Sequence, residues 1–416
     1  MKVLVLNCGS SSVKYKLFDL DGAEEAVLAG GIVEELGLGN PTLTHDRPGH
    51  QRLLRSDLDL PNHEAAVKLV LDVLVDPRHG ALDTVQEVDA AGHRVVHGGE
   101  RFATSVLIDY DVLQALHENA QLAPLHNPPN IQGIEAVAAY LPTTPQVAVF
   151  DTAFHQTMEP PAYLYAIPYK YYEVHGIRRY GFHGTSHRYV SHRAAAYLGR
   201  PLTDLKIITC HLGNGASMTA VSGGKSVMTS MGFTPLEGLV MGTRCGDLDP
   251  AIVLFLMERE NLSAAEVSRV LNRESGVLGL SELSSDMRVL EAALREGPGH
   301  PHYERSLLVL RHYTRRVKAY IGSYAAIMGG LDCVVFTGGI GENFPEVCDW
   351  SCAGLEFLGI EGVRARRRKG TIVPASAPDS RVKVLIVPTD EELAIARDVY
   401  EVVSGGSETQ SEFLQK

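Results

Sequence analysis

Two kinds of hydrophobic pattern alternate along this chain. Short, mainly apolar runs occupy 3–6, 13–18 (interrupted by Lys14 and Lys16), 147–150, 207–209, 334–336 and 384–387. Runs of that length predict strands covered on both faces. Between them the apolar spacing lengthens. At 62–75, Ala66, Val67, Val70, Leu71 and Leu74 fall on one face of a helix. Strands alternating with amphipathic helices predict an α/β architecture.

One pattern occurs twice. Residues 1–13 read as a strand, the turn Asn7-Cys8-Gly9-Ser10-Ser11-Ser12, and a strand. Residues 206–219 read as a strand, the turn His211-Leu212-Gly213-Asn214-Gly215-Ala216-Ser217, and a strand. The echo predicts two related halves; the alternative is coincidence between two hairpins. A chain of 416 residues exceeds one ordinary core, so two domains are expected independently.

Charge narrows the possible partners. The formal net charge is −12, which speaks against broad nucleic-acid binding, since that requires a basic face. Any anionic ligand must be held by local cations against the overall field. No apolar run approaches the ~18 residues that span a bilayer, so no membrane association is expected. The apolar stretch at 3–6 is too short for a signal peptide, and cytoplasmic residence is expected. Six cysteines without a CxxC pair point to reduced thiols, not a disulfide framework. The basic run 364–369 reads as a solvated loop and 404–416 as a frayed tail.

Candidate chemistry clusters at strand ends. The 7–12 turn, with Lys14 on the next strand, offers hydroxyls, backbone N–H groups and a cation to a phosphate. It lacks the Walker A spacing and equally fits a polar hairpin turn. Three further glycine-rich turns are read at 92–99, 211–217 and 337–343. Arg94, His183 and Arg244 sit among small residues, where a side chain has little cover; each alone could be a structural residue. His183 and His187 have i,i+4 spacing, but a metalloprotease glutamate is missing and Gly184 is expected to precede the helix, with the helix starting at Thr185 or Ser186. Asp151 follows a strand directly, where α/β sheets place ligand-binding groups. Thr389 and Glu392 have the spacing of a capping box, which gives Glu392 a structural role and leaves Glu391 for a metal.

Together these segments resemble the acetate kinase family. The resemblance rests on 7–14, 92–99, 123–130, 151–157, 178–187, 211–217, 244–250, 339–343 and 389–393 and spans nearly the whole chain. It implies two related actin/hexokinase-like (ribonuclease H-like) α/β domains, with an active-site cleft between them. The domains would be 1–151, joined by a C-terminal helix at about 389–403, and 152–388. The family's enzymes move the ATP γ-phosphoryl group reversibly to acetate, in line and with Mg²⁺, and are typically homodimers. Mn²⁺ is an alternative metal and propionate a weaker substrate.

Carried over by position, Asn7 and Glu391 would hold the metal. Ser10, Ser12 and Lys14 would meet the nucleotide phosphates. Arg94 would pair with the acetate carboxylate, and Val96, Leu125, Phe182 and Pro235 would surround its methyl group. Asp151, His183 and Arg244 would be catalytic. His211, Leu212, Gly213, Asn214, Gly215, Asp286, Met287, Arg288, Gly339, Ile340, Gly341, Glu342 and Asn343 would bind ATP or ADP. Asp390, Met287 and Cys245 depart from the residues common in the family. The alternatives are a kinase for a longer acid and a nucleotide-binding sensor without turnover.

Overall fold

The computed structural model describes residues 1–21, 24–37, 39–124, 126–368 and 370–405. Two compact units emerge. One comprises Met1–Phe154 together with the segment that begins at Asp390, and the other comprises His155–Thr389.

The first unit is built on eight strands. These are β1 (Lys2–Cys8), β2 (Ser12–Asp21), β3 (Glu24–Glu34), β4 (Thr42–Asp46), β5 (Leu53–Arg55), β6 (Ala90–Val95), β7 (Val106–Leu107) and β8 (Gln146–Phe150). Their order is β5-β4-β3-β2-β1-β6-β8-β7. β1, β6 and β8 run parallel and the remaining pairs are antiparallel.

The apolar runs are explained by burial on both sides. Leu4 and Leu6 of β1 join a cluster with Val67 and Val70 of the helix His63–Leu74 and Val137 of the helix Asn127–Tyr140. Val3 and Val5 point the other way, toward Val149, Ile395 and Val399. The last two belong to the helix Glu391–Ser404, so the last helix among the described residues covers the first unit's sheet.

The second unit repeats the plan with β9 (Lys206–Leu212), β10 (Ala216–Ser222), β11 (Lys225–Thr229), β12 (Cys333–Thr337), β13 (Val373–Pro374) and β14 (Lys383–Ile386). The order β11-β10-β9-β12-β14-β13 places an antiparallel β9–β10 hairpin beside the parallel pairs β9–β12 and β12–β14. The first unit has the same arrangement at β3-β2-β1-β6-β8. The sequence echo therefore corresponds to equivalent hairpins, β1–β2 and β9–β10.

Several local expectations change. Gly92 lies inside β6, not in a ligand-facing turn. A Cβ there would come within 2.6 Å of Val399 and 2.9 Å of Ile395, so its role is to admit the last helix. Residues Gly338–Asn343 form a short helix instead of an open turn, because Gly338 turns the chain at φ +77° directly after β12. The helix Gly184–Leu198 begins one residue earlier than expected and takes Gly184 as its first member. Ser404 is still helical, Gly405 caps that helix at φ +66°, and 406–416 lie outside the described residues. No disulfide joins the six cysteines.

Candidate active site

In the first unit the site starts at the β1–β2 turn. Gly9 donates its N–H to the Ser12 carbonyl at 2.8 Å, and His63 holds the Gly9 carbonyl at 2.6 Å. Ser10 is exposed and Ser12 half-buried on this turn. The hairpin register sets Asn7 opposite Lys14. Lys14 forms an ion pair with Glu392, while Lys16 meets Asp390 at 3.1 Å and Glu392 at 3.6 Å.

This overturns the expected capping box. Asp390, not Thr389, caps the final helix, accepting from the Leu393 N–H at 3.0 Å. Glu392 is turned to the two lysines. Burial raises its pKa, but Lys14 and Lys16 more than offset that and hold it below the ordinary carboxylate range. Glu391 stands one residue earlier, at the helix start.

Arg94 leaves the end of β6 and meets Asp151, which follows β8. Its Nε donates to Oδ1 at 2.9 Å and its Nη2 to Oδ2 at 2.7 Å, a two-pronged pair. Asp151 is buried and its backbone N–H is anchored on the Val95 carbonyl at 3.0 Å. Burial works against the Arg94 charge, but Asp151 and then Glu391 outweigh it and raise the guanidinium's pKa. Val96 is half-buried, its N–H held by Asn130 Oδ1 at 3.0 Å. Leu125 lies outside the described residues.

Sequence reasoning assigned no job to Asn127 and Asn130. Asn127 exchanges two hydrogen bonds with the His97 backbone, at 3.1 and 2.9 Å. Asn130 bridges the Val96 N–H and the Cys8 carbonyl, the latter at 2.7 Å. Both clamp the strand ends that carry Arg94 and Asn7. Their i,i+3 spacing on one helix was the available signal.

In the second unit His183 precedes its helix at φ +57°, a conformation uncommon outside glycine. Its ring stacks on His211 with centroids 4.3 Å apart and planes inclined by 18°. Ser186 lies 2.8 Å from His211 Nδ1. His187 is buried between the hydroxyls of Thr209 and Ser217, at 2.7 and 2.9 Å, which suits a core histidine. Phe182 is buried, its carbonyl held by His155 Nε2 at 3.0 Å.

A Cβ on Gly215 would fall 3.2 Å from His183 Nε2 and 3.8 Å from Arg244 Nη1. Glycine there lets both side chains approach the β9–β10 turn. Arg244 is partly buried. Its Nη1 donates to the Pro235 carbonyl at 2.9 Å, and among the described residues it has no carboxylate within ion-pair distance. Burial alone pulls its pKa down. The loop is fixed by backbone bonds from Ser275 to Thr243, Val277 to Met241 and Leu278 to Gly242, all at 2.8–3.0 Å.

A cavity of about 720 Å³ opens beside this turn, within the usual range for a small-molecule site. Eight predicted nucleotide residues line it: Gly213, Asn214, Asp286, Met287, Arg288, Gly339, Ile340 and Asn343. Five do not. Leu212 is fully buried in its strand, and His211 supports His183. Gly215 faces His183 and Arg244, and Gly341 packs on Phe336 and Leu212. Glu342 accepts the N–H groups of Gly338 at 3.0 Å and Thr389 at 3.2 Å, a capping role. Ser285, Glu291, Phe344 and Arg367 also line the cavity without having been anticipated.

Residues 2–397 match the acetokinase family. The chain belongs to that family. It is 55% identical to an acetate kinase of Alkaliphilus metalliredigens over 406 residues, covering 97% of this chain and all of that protein. An acetate kinase structure from Porphyromonas gingivalis superposes with a TM-score of 0.90 at 48% identity, covering 97% of this chain and 99% of that one. A propionate kinase structure from Francisella tularensis superposes at 0.87 with 38% identity, covering 96% and 99%.

Proposed function

We propose that this protein is an ATP-dependent acetate kinase, which transfers the γ-phosphoryl group to acetate and releases acetyl phosphate and ADP. Arg244 carries the reading: a partly buried guanidinium with no carboxylate partner among the described residues, beside the β9–β10 turn whose Gly213 and Asn214 line a nucleotide-sized cavity, suits a transferring phosphoryl group.

Acetate needs no base to become a nucleophile. Carboxylic acids of this kind titrate near ~4–5 and are ionised at neutral pH. Asp151 already spends both oxygens on Arg94, so it orients that arginine for the acetate carboxylate instead of removing a proton. Val96, Leu125, Phe182 and Pro235 would enclose the methyl group. The reaction then depends on bringing two anions together, which calls for positioning and positive charge. Arg244 and His183 would stabilise the phosphoryl group in flight, with Gly213, Asn214, Gly339 and Ile340 around the nucleotide. Ser10, Ser12 and Lys14 would receive phosphate oxygens.

Asn7 and Glu391 offer only oxygen donors, which suits Mg²⁺ and, less selectively, Mn²⁺. When bound, the ion would neutralise phosphate charge and orient the transferred group. The family kinship with a propionate kinase structure favours slower turnover of propionate as a second activity. A homodimer also fits. The helix Pro250–Arg259 buries no residue, yet it exposes Ile252, Leu254 and Phe255, an apolar face for a second copy. Cytoplasmic residence agrees with six thiols unpaired by disulfides.

The test is direct. The purified protein, given ATP, Mg²⁺ and acetate, should form an acyl phosphate that hydroxylamine traps as the hydroxamate. No product above a no-acetate control would refute the proposal, and a higher kcat/KM for propionate would reassign the substrate.

A further inference from the structure

The basic stretch 364–369 reads from sequence as a solvated loop, and Arg364, Arg366 and Arg368 are indeed exposed. Arg367 departs from its neighbours. It retains 42% of its side-chain exposure, but its guanidinium reaches Glu291 and lines the 720 Å³ cavity with it. Glu291 lies one turn along the helix Met287–Glu296 from Met287 and Arg288, which line the same cavity.

Glu291 is held unusually. Only 8% of the residue is exposed, and its Oε1 accepts from both Arg367 and Arg295, the latter at 2.7 Å. Oε2 takes no hydrogen bond among the described residues. A bare carboxylate would repel a polyphosphate ligand, and two guanidiniums remove that objection. What remains is a fixed, charge-compensated carboxylate on the cavity wall with Oε2 left to accept.

We propose that Glu291 reads the nucleobase by accepting a hydrogen bond at Oε2 from an exocyclic amino group, and that Arg367 is the positioning residue that holds it there. This rests on the kinase reading above and adds a base preference to it. Adenine presents an amino donor on its pyrimidine edge. Hypoxanthine presents a carbonyl oxygen at the same place, and that oxygen would face the carboxylate lone pairs. ATP is therefore favoured over ITP by the gain of one bond and the avoidance of one acceptor–acceptor contact. The margin is about tenfold or more, the scale of a hydrogen bond to a charged group.

The experiment uses the full-length enzyme with acetate, Mg²⁺ and either ATP or ITP. In the wild type, kcat/KM should favour ATP at least about tenfold. E291A should bring the ratio to within about twofold, chiefly by raising the KM for ATP, while the KM for acetate moves less than about twofold. E291Q, close in shape but able to present its amide N–H, should tilt the preference toward ITP. R367A should raise the KM for ATP severalfold and narrow the ratio, with partial recovery in R367K. A wild type indifferent to the base, or an unchanged ratio in E291A and E291Q, would overturn the proposal. Calorimetric titration with ADP and IDP gives the same comparison without turnover. A protein that binds ADP over IDP through Glu291 but makes no acyl phosphate would refute the kinase reading alone.

Discussion

Arg94 of the first unit grips Asp151 through two hydrogen bonds, whereas Arg244 of the second unit rests on a carbonyl oxygen and the Met241 thioether at 3.6 Å. Both are partly withdrawn from water, yet burial and partners move their pKa values in opposite directions, up for Arg94 and down for Arg244. On the proposed function, the difference separates two ways of preparing for an anion. Arg94 has its orientation fixed in advance, and its charge is already shared, which suits a small carboxylate that must bind and leave. Arg244 has its loop fixed but its charge uncompensated, so its largest electrostatic gain comes when a strongly negative group arrives.

The largest effect should come from Arg244→Ala. Removing one preorganised donor of this kind typically costs ~2.7–4 kcal/mol in the transition state, a fall of about 10²–10³ in kcat. The folded state should lose little, because no ion pair is broken, and the melting temperature should stay level or rise. Wild-type turnover in the purified variant would erase the contrast with Arg94.

Asp151→Ala should act differently. It removes the two-pronged partner of Arg94, with a loss of up to roughly 3 kcal/mol in stability, since Arg94 keeps some contact with water and the nearby charge of Glu391. It should also raise the KM for acetate, as Arg94→Ala should. The double variant should lose less stability than the two singles combined, and strict additivity in denaturant melts would show that the pair is not a unit.

Acid sharpens the comparison at β6. His93 and His97 flank Arg94, and burial pushes them down to about 4 and about 3; for His93 the Gln146 bond opposes the shift. Both groups are favoured neutral in the folded state. Their contribution is complete above the ordinary histidine value of ~6.5 and is lost as pH falls from there toward about 4. Between pH ~6.5 and ~5.5 the cost should approach about 1 kcal/mol for each ring. Amide exchange at β6 should quicken over that interval; protection that is flat with pH would contradict the sign.

The smallest effect belongs to Val96→Ala. Pocket methylenes discriminate by only ~1–3 kcal/mol, so the propionate-to-acetate ratio of kcat/KM should rise less than about tenfold. No change would remove Val96 from the methyl pocket.

Much of the frame is written in local pattern. All six apolar runs became strands, and the helix expected at 62–75 spans His63–Leu74 with Asn62 as its cap. Local pattern failed where the deciding contact is distant in sequence. Nothing near Gly92 announces that Ile395 and Val399 occupy the space of its missing side chain. Nothing near Glu392 announces Lys14, so the capping spacing led to the wrong residue. The site divides the same way. Glycine turns and isolated arginines were visible, but Glu291 and Arg367 are 76 residues apart and meet only on the cavity wall.

The helix that closes the first sheet leaves a mark on how the molecule is made. Val3, Val5 and Val149 emerge early from the ribosome, but Ile395 and Val399 follow only after all of His155–Thr389 has been synthesised. Throughout that interval one sheet face is an uncovered sticky surface. The nascent chain is therefore a natural client for holdase chaperones, and truncations that remove the final helix should yield inclusion bodies instead of a soluble amino-terminal fragment.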